Sequence, residues 1–398
     1  MLVQFMVNNF LSFKEEVLLD MTAIKAYKEH EYNLINIGTN ENFLKVATIY
    51  GANASGKTNL FLAMLAFRKL VQQSFNTIDN YSNSLLSDCY FPFHFQKDKK
   101  NIEFEIILIN NGNEYKYGFE YNSSEIVAEW CYKKSLETKR TATILERTQN
   151  DITFGSSVNK FCKIYKDQIP KETLALTFLS KFNLGIDIFS NIYNEICNLG
   201  VIPSDTYENP DVLKKFLLPI LNTNKSELLK FLQTIDTGIS DISYSTTDDV
   251  YDFYSHHIGE DNKPYTLDLF SESEGTLKCM AIFITAKLAI NNGQLLFIDE
   301  LNAKLHPLLL KYIVDLFNSQ ENQTAQLLYT SHDTTLLDRR YFRRDQIWFV
   351  EKDEFGTSSL YALSDFKIRA DASFEKDYLG GVYGGIPFIQ NHNMKVGE

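Results

Sequence analysis

Gly51-Ala52-Asn53-Ala54-Ser55-Gly56-Lys57-Thr58 satisfies the pattern G-x-x-x-x-G-K-[ST]. The glycines let the backbone curl so that successive N–H groups point inward, at the positive end of a helix expected to begin near Thr58. Such a nest binds phosphate. Gly51, Asn53, Ala54, Ser55, Gly56, Lys57, Thr58 and Asn59 are therefore the first candidate nucleotide-binding residues. Lys57 would reach the β and γ phosphates of ATP, and the Thr58 hydroxyl would coordinate Mg²⁺. The flanks agree, because residues 46–50 form a short apolar run and Leu60, Met64, Phe67, Leu70 and Val71 recur at helical spacing. Strand, glycine loop and helix in that order predict an α/β fold.

A matching second half lies far downstream. Leu295-Leu296-Phe297-Ile298-Asp299-Glu300 reads as a buried strand ending in two acids. Asp299 is placed to hold Mg²⁺ and Glu300 to polarise an attacking water as general base. The strand expected at 326–330 ends in Ser331-His332-Asp333, where His332 could contact the γ phosphate and sense its loss. Ser271-Glu272-Ser273-Glu274-Gly275-Thr276 precedes a helix expected at 276–290. Two readings stand for it: Ser273 as an ordinary N-cap, or Ser273 and Gly275 as a second anion nest covering ATP held by another copy of the chain.

Around these motifs the chain divides into three parts. Residues 1–160 would form an N-terminal lobe, with an opening ribbon (2–7 and 17–21) and an antiparallel β-layer. Its strands fall at 102–109 and 115–121 around the turn signal Asn110-Asn111-Gly112-Asn113, then at 126–133 and 142–148. Residues 161–243 read as a helical insertion, and residues 244–398 as a C-terminal lobe opening on a polar segment at 244–263. That lobe carries the helix and strand above, then a helix at 307–317, strands at 346–351 and 358–363, and an irregular Gly/Tyr-rich tail at 378–387.

The order of parts resembles the ABC-type ATPase heads of the SMC and RecF kind: Asn9-Phe10-Leu11-Ser12-Phe13, the P-loop, Ser273-x-Gly275, Asp299-Glu300, Asn302-Ala303-Lys304-Leu305-His306-Pro307 and His332. Tyr50 to Lys57, Asp299-Glu300-Leu301, Leu305-His306-Pro307, Arg343 to Lys352 and Tyr383-Gly384-Gly385-Ile386-Pro387-Phe388 look like the RloA/AbiLi-like ATPases of bacterial abortive infection and phage defence. This resemblance implies an ABC-type P-loop NTPase head, α/β with an antiparallel β-layer and a helical insertion. It also implies ATP and Mg²⁺, an ATP-sandwich homodimer, and control of a separately encoded effector such as a Toprim-like nuclease. The alternative is a RecF/SMC-like DNA-binding ATPase of DNA repair or chromosome maintenance. Leu11 stands where such heads often have Arg, Glu274 and Thr276 replace the second Gly and the Gln of the ABC signature, and Asn302 replaces a common Asp. These departures bear on turnover and on contacts between copies.

Composition narrows the classes. The chain has 398 residues, 44% hydrophobic and 23% charged, which is ordinary globular usage. With 39 Lys+Arg against 51 Asp+Glu it carries a net charge of -12 and as a whole repels nucleic acid. Arg339, Arg340, Arg343 and Arg344 form the densest basic cluster, readable as a phosphate track or as an ion-paired surface. Cys89, Cys131, Cys162, Cys197 and Cys279 show neither zinc nor disulfide spacing, which points to a reducing cytoplasm. No apolar run reaches the ~18–20 residues that cross a bilayer.

Overall fold

The computed structural model describes residues 1–75, 85–98, 100–203, 206, 210–235, 237–247, 250–303, 305–369 and 372–386. It begins with β1 (Leu2–Asn8), β2 (Val17–Asp20), β3 (Leu34–Asn36), β4 (Asn42–Leu44), β5 (Val46–Tyr50), α1 (Lys57–Gln73) and the short α2 (Leu85–Asp88). Next come β6 (Ile102–Asn110), β7 (Asn113–Tyr121), β8 (Ile126–Ser135), β9 (Thr141–Arg147) and β10 (Ile152–Phe154). The middle holds α3 (Asn159–Cys162), α4 (Ala175–Ser180), α5 (Ile188–Cys197), β11 (Gly200–Ile202), α6 (Pro210–Thr223) and α7 (Lys225–Thr234). After these lie β12 (Ile239–Thr247), β13 (Val250–Ile258), β14 (Pro264–Asp268), α8 (Glu274–Asn292), β15 (Leu295–Ile298), α9 (Pro307–Asn318) and β16 (Gln326–Thr330). β17 (Ile347–Lys352), β18 (Ser358–Ala362) and α10 (Phe374–Leu379) follow.

The central sheet has the order β11-β15-β16-β5-β17-β18, parallel except for the closing β17–β18 hairpin. β5, β15 and β16 are buried at every residue, as a parallel sheet covered on both faces requires. Successive side chains enter opposite cores. Ala47, Ile49, Leu295 and Phe297 pack in the core that contains α1, whereas Val46, Tyr50, Leu296 and Ile298 pack in the one that contains α8 and α9. The loops leaving β5, β16 and β15 therefore open on one edge, the carboxyl ends of the strands, where open α/β sheets bind ligands.

A seven-stranded antiparallel sheet, β10-β9-β8-β7-β6-β1-β2, forms the expected second layer. Its β6–β7 turn uses Asn111 (φ 47°) and Gly112 (φ 71°), the successive left-handed residues that Asn-Gly supplies. α1 is gripped between the two sheets. Phe61 meets Phe297 of the central sheet edge-on at 5.2 Å, while Phe67 stacks on Phe119 at 5.5 Å and meets Phe5 at 5.8 Å. Phe67→Ala is expected to cost about 3–5 kcal/mol of stability. Urea unfolding measures this, and a loss below about 1 kcal/mol would contradict the grip assigned to the aromatic cluster.

The structure differs from the sequence reading most in two places. Residues 161–243 are mixed rather than purely helical. α4 and α5 join the core around α1, α6 and α7 join that around α8, and β11 extends the central sheet alongside β15. Three residues are too few for periodicity to reveal a strand. The polar segment at 244–263 contributes to a third sheet, β12-β13-β14. Tyr244, Tyr251, Ile258, Tyr265 and Leu267 are exposed there while Ile242 and Phe253 are buried, so the apolar alternation is too weak to announce strands. Beyond α10 the chain runs in turns through 380–386, and Pro387 and Phe388 lie outside the described residues, as does Lys304. Among the described residues no helix is long and apolar enough to cross a membrane.

Candidate active site

The loop between β5 and α1 passes through left-handed backbone at Ala54 (φ 61°) and Gly56 (φ 117°). A Cβ on Gly56 would lie 2.5 Å from Ser358 Oγ, and one on Gly51 would lie 2.4 Å from the Val350 carbonyl oxygen. Only glycine fits so close an approach. A hydroxyl relay braces the loop from behind. Asn59 Nδ2 donates to Ser12 Oγ (2.7 Å), which lies 2.7 Å from Ser358 Oγ, itself 2.5 Å from the Ser55 carbonyl oxygen. Each hydroxyl has one proton, so Ser358 gives its own to the carbonyl and receives that of Ser12. Ser12 belongs to Asn9-Phe10-Leu11-Ser12-Phe13, where the sequence assigns it no role, and no sequence signal attaches Ser358 to a loop three hundred residues earlier. Asn53, Ala54 and Thr58 are exposed on the loop and the first turn.

Lys57 is buried. Its ammonium donates to the carbonyls of Gly51 (2.8 Å) and Ala52 (3.0 Å) and lies 3.4 Å from His332 Nδ1. Burial pushes its pKa down to about 8, against the opposing pull of Asp299 and Glu300. Phosphate oxygens would reverse that shift by restoring a partner to the charge. The free chain loses the Lys57 proton above about pH 8, and bound ATP would select the protonated form. Affinity is expected to fall up to about tenfold per pH unit above 8, with proton uptake on binding. Calorimetry in two buffers of different ionisation heat measures the uptake, and constant affinity from pH 7 to 9.5 would contradict it.

The two acids are set by a residue that sequence reading placed on a strand but gave no task. Thr330, on β16, donates its hydroxyl proton to Asp299 Oδ1 (2.6 Å) and accepts from the Glu300 N–H (2.7 Å). Asp299 is thereby buried and oriented, while Glu300 turns outward through left-handed backbone (φ 50°) and is half exposed. Strain of this kind at a non-glycine residue is held by surrounding structure and clusters at functional sites. His332 Nε2 lies 3.6 Å from Glu300 Oε1, and the His332 N–H donates to Asn302 Oδ1 (3.3 Å). Burial, then the Lys57 charge, lowers the His332 pKa, so the ring is neutral near pH 7. Its Nδ1 accepts from Lys57, which leaves the proton on Nε2, facing Glu300.

Lys57, Asp299, Glu300 and His332 thus converge on the P-loop. A cleft of about 670 Å³ opens beside them, lined by residues 51–55, His332, Thr334, Asp353, Tyr378 and Ile386. Ser273 and Gly275 do not line it. Ser273 caps α8, its Oγ accepting from the Thr276 N–H at 3.1 Å, and a Cβ on Gly275 would meet only Ser273 Oγ, at 3.8 Å. A second cavity, about 480 Å³ and mostly apolar, lies at β11 and holds none of the motif residues. Gln96 donates to Asn9 Oδ1 (2.6 Å), and His256 and His257 bond Ser243 and Glu272.

The residues fit a Mg²⁺-nucleotide. The loop offers a cradle that a Cβ would fill, and Lys57 is a desolvated cation bonded to neutral carbonyls. Among the described residues no group of three His, Cys, Asp or Glu could hold a metal unaided. Thr58 and Asp299 would share Mg²⁺ with phosphate oxygens, the usual arrangement for this ion.

The family model described as "AAA domain, putative AbiEii toxin, Type IV TA system" matches residues 46–338, about three quarters of the chain. The chain belongs to this AAA family. Its AAA domain spans the P-loop, Ser273, Gly275, Asp299, Glu300 and His332. A search of curated proteins returns no match. Among solved structures, the chain is similar to an SMC head bound to the C-winged helix domain of ScpA, at 13% identity and TM-score 0.43, covering 94% of this chain and 99% of that one. It is also similar to the SMC head domain from Thermotoga maritima, at 11% identity and TM-score 0.40, covering 92% and 99%. A third is an SMC head with an extended coiled coil bound to the C-terminal domain of ScpA derived from Pyrococcus furiosus, at 13% and 0.41, covering 96% and 99%.

Proposed function

We propose that the chain is a Mg²⁺-dependent ATPase acting as a nucleotide-controlled switch. Two copies pair over two nucleotides, and the pair holds or releases a separately encoded effector, a nuclease, in defence against phage. The convergence of Lys57, Asp299, Glu300 and His332 on one glycine cradle carries the reading. Lys57 binds the terminal phosphates, Glu300 takes a proton from the attacking water, and neutral His332 places its Nε2–H where phosphate charge develops. Mg²⁺, when bound at Thr58 and Asp299, supplies charge neutralisation for the phosphate oxygens. In this reading the lobe 1–160 holds nucleotide, 161–243 braces both cores, and 244–398 supplies the acids and the surface that faces the second copy.

Support for pairing comes from Ser273 and Gly275, which stand outside the cleft and leave the space beside Gly275 open. Gly275→Val is expected to lower hydrolysis at least about tenfold while the isolated chain keeps its ATP affinity. Nucleotide titration and turnover measured together check this, and lost binding would contradict a role across the pair. The family's description, which names a "putative AbiEii toxin" and a "Type IV TA system", supports the defence reading. Its test is a pull-down of Glu300→Gln from the native host with and without ATP. A nuclease-like partner held in one nucleotide state supports the switch. Nucleic acid alone would favour a repair clamp. Against that clamp, Arg343 is fully buried on Asp345 (2.8 Å), and Arg340 and Arg344 pair with Asp338 and Glu29.

A further inference from the structure

We infer that Glu272 is a positioning residue for Ser273 and Gly275, held by a clamp on the small β12-β13-β14 sheet. The inference rests on the paired reading above. Glu272 is the residue immediately before the α8 N-cap, and its side chain is 10% exposed, unlike exposed Ser271, Ser273 and Glu274 around it. Its Oε1 accepts from Ser255 Oγ at 2.5 Å and from His257 Nε2 at 2.7 Å. Ser255 and His257 are two residues apart on β13 and so share one face of that sheet. Ser255 is fully buried. A carboxylate only accepts, so both β13 groups donate to it and His257 keeps its proton on Nε2.

The backbone leaves little slack between this clamp and the proposed nest. Ser273 follows Glu272 directly, and its Oγ bonds the Thr276 N–H, which starts α8. Gly275 lies inside that first turn. The far end of α8 is stopped by Gly293 (φ 64°) one residue before the segment leading into the β15 strand that carries Asp299. Fixing Glu272 therefore fixes where Ser273 and Gly275 stand relative to the rest of the chain, without either donor of the clamp touching nucleotide. β13 is the middle strand of its sheet, and β14, which pairs with it, leads through one 3-10 turn at Leu269–Ser271 to Glu272. The sheet is thus tied to the nest twice, by the chain leaving β14 and by the Glu272 carboxylate, which holds that chain against β13.

Steady-state kinetics of Glu272→Ala, Glu272→Gln and Gly275→Val test the clamp. Glu272→Ala is expected to lower kcat at least about tenfold, the scale of a sub-ångström to ångström misplacement of a reacting group. KM should stay near wild type, because the P-loop of the same copy is untouched, while the melting temperature should fall, because Ser255 and His257 lose their acceptor. Glu272→Gln should recover most of kcat, since its amide oxygen still accepts from Ser255 and His257. A role only in stability would lower the melting temperature and leave kcat of the folded variant near wild type, and that result, a raised KM, or an equal kcat loss in Glu272→Gln overturns the inference. Should Glu272→Ala fail to fold, Ser255→Ala, which removes one donor, takes its place with the same expected kcat loss. Normal turnover in the Glu272 and Ser255 variants alongside a slow Gly275→Val overturns the clamp alone. Normal turnover in Gly275→Val overturns the paired reading beneath it.

Discussion

Glu300→Gln is expected to slow ATP hydrolysis by about 10²–10⁴-fold, the range for removing a general base, while ATP binding persists. The amide keeps the shape of the side chain and loses only the ability to take a proton. Glu300 is suited to that task because its backbone (φ 50°) turns it away from buried Asp299, and because Thr330 holds its N–H rather than its carboxylate. The carboxylate stays half exposed, open to water, with the neutral His332 ring 3.6 Å away. Single-turnover kinetics with Mg²⁺-ATP checks the expectation, and a pair that closes on ATP should also live longer in this variant. Turnover within a few-fold of wild type would remove Glu300 as the base.

Lys57→Ala is expected to weaken ATP binding at least about a hundredfold, near 3 kcal/mol, the upper end for hydrogen bonds to a charged group. The free chain should tolerate the change. Lys57 is a buried ammonium bonded to two carbonyls, and burial disfavours its charge enough to bring its pKa to about 8. The interaction energy withheld in the free chain is available only when phosphate arrives. Fluorescent-nucleotide titration with circular dichroism on the same sample separates lost binding from lost fold, and unchanged affinity in a folded variant would end the P-loop assignment.

Much of this was legible in the residues because the chemistry is local. A glycine loop between a short apolar strand and an amphipathic helix, and four apolar residues before Asp299 and Glu300, each announce their geometry within a dozen positions. The Asn111-Gly112 turn did the same for the antiparallel layer. What escaped reading was set by distance. Ser12, Asn59 and Ser358 meet only because the β1–β2 loop, α1 and β18 are brought together, and Thr330 becomes an orienting residue only because β16 pairs with β15 in a register that places Tyr329 beside Ile298. β12 and β13 were missed for a different reason, since a sheet with one solvent face and a row of Tyr, Ser, Thr and His lacks the apolar alternation that marks a strand. The arginine cluster shows the converse: Arg343 looks like part of a basic patch in sequence, yet it is buried, capping the carbonyls of Ile24, Tyr27 and Glu29 while Asp345 neutralises it.

The central claim is that nucleotide held at Lys57 of one copy closes two copies into a pair that hydrolysis reopens. Sedimentation of Glu300→Gln with and without Mg²⁺-ATP tests it most directly. The account expects the mass of two chains with Mg²⁺-ATP and of one chain with ADP or without nucleotide. A single-chain mass at ATP concentrations that saturate the site would contradict it.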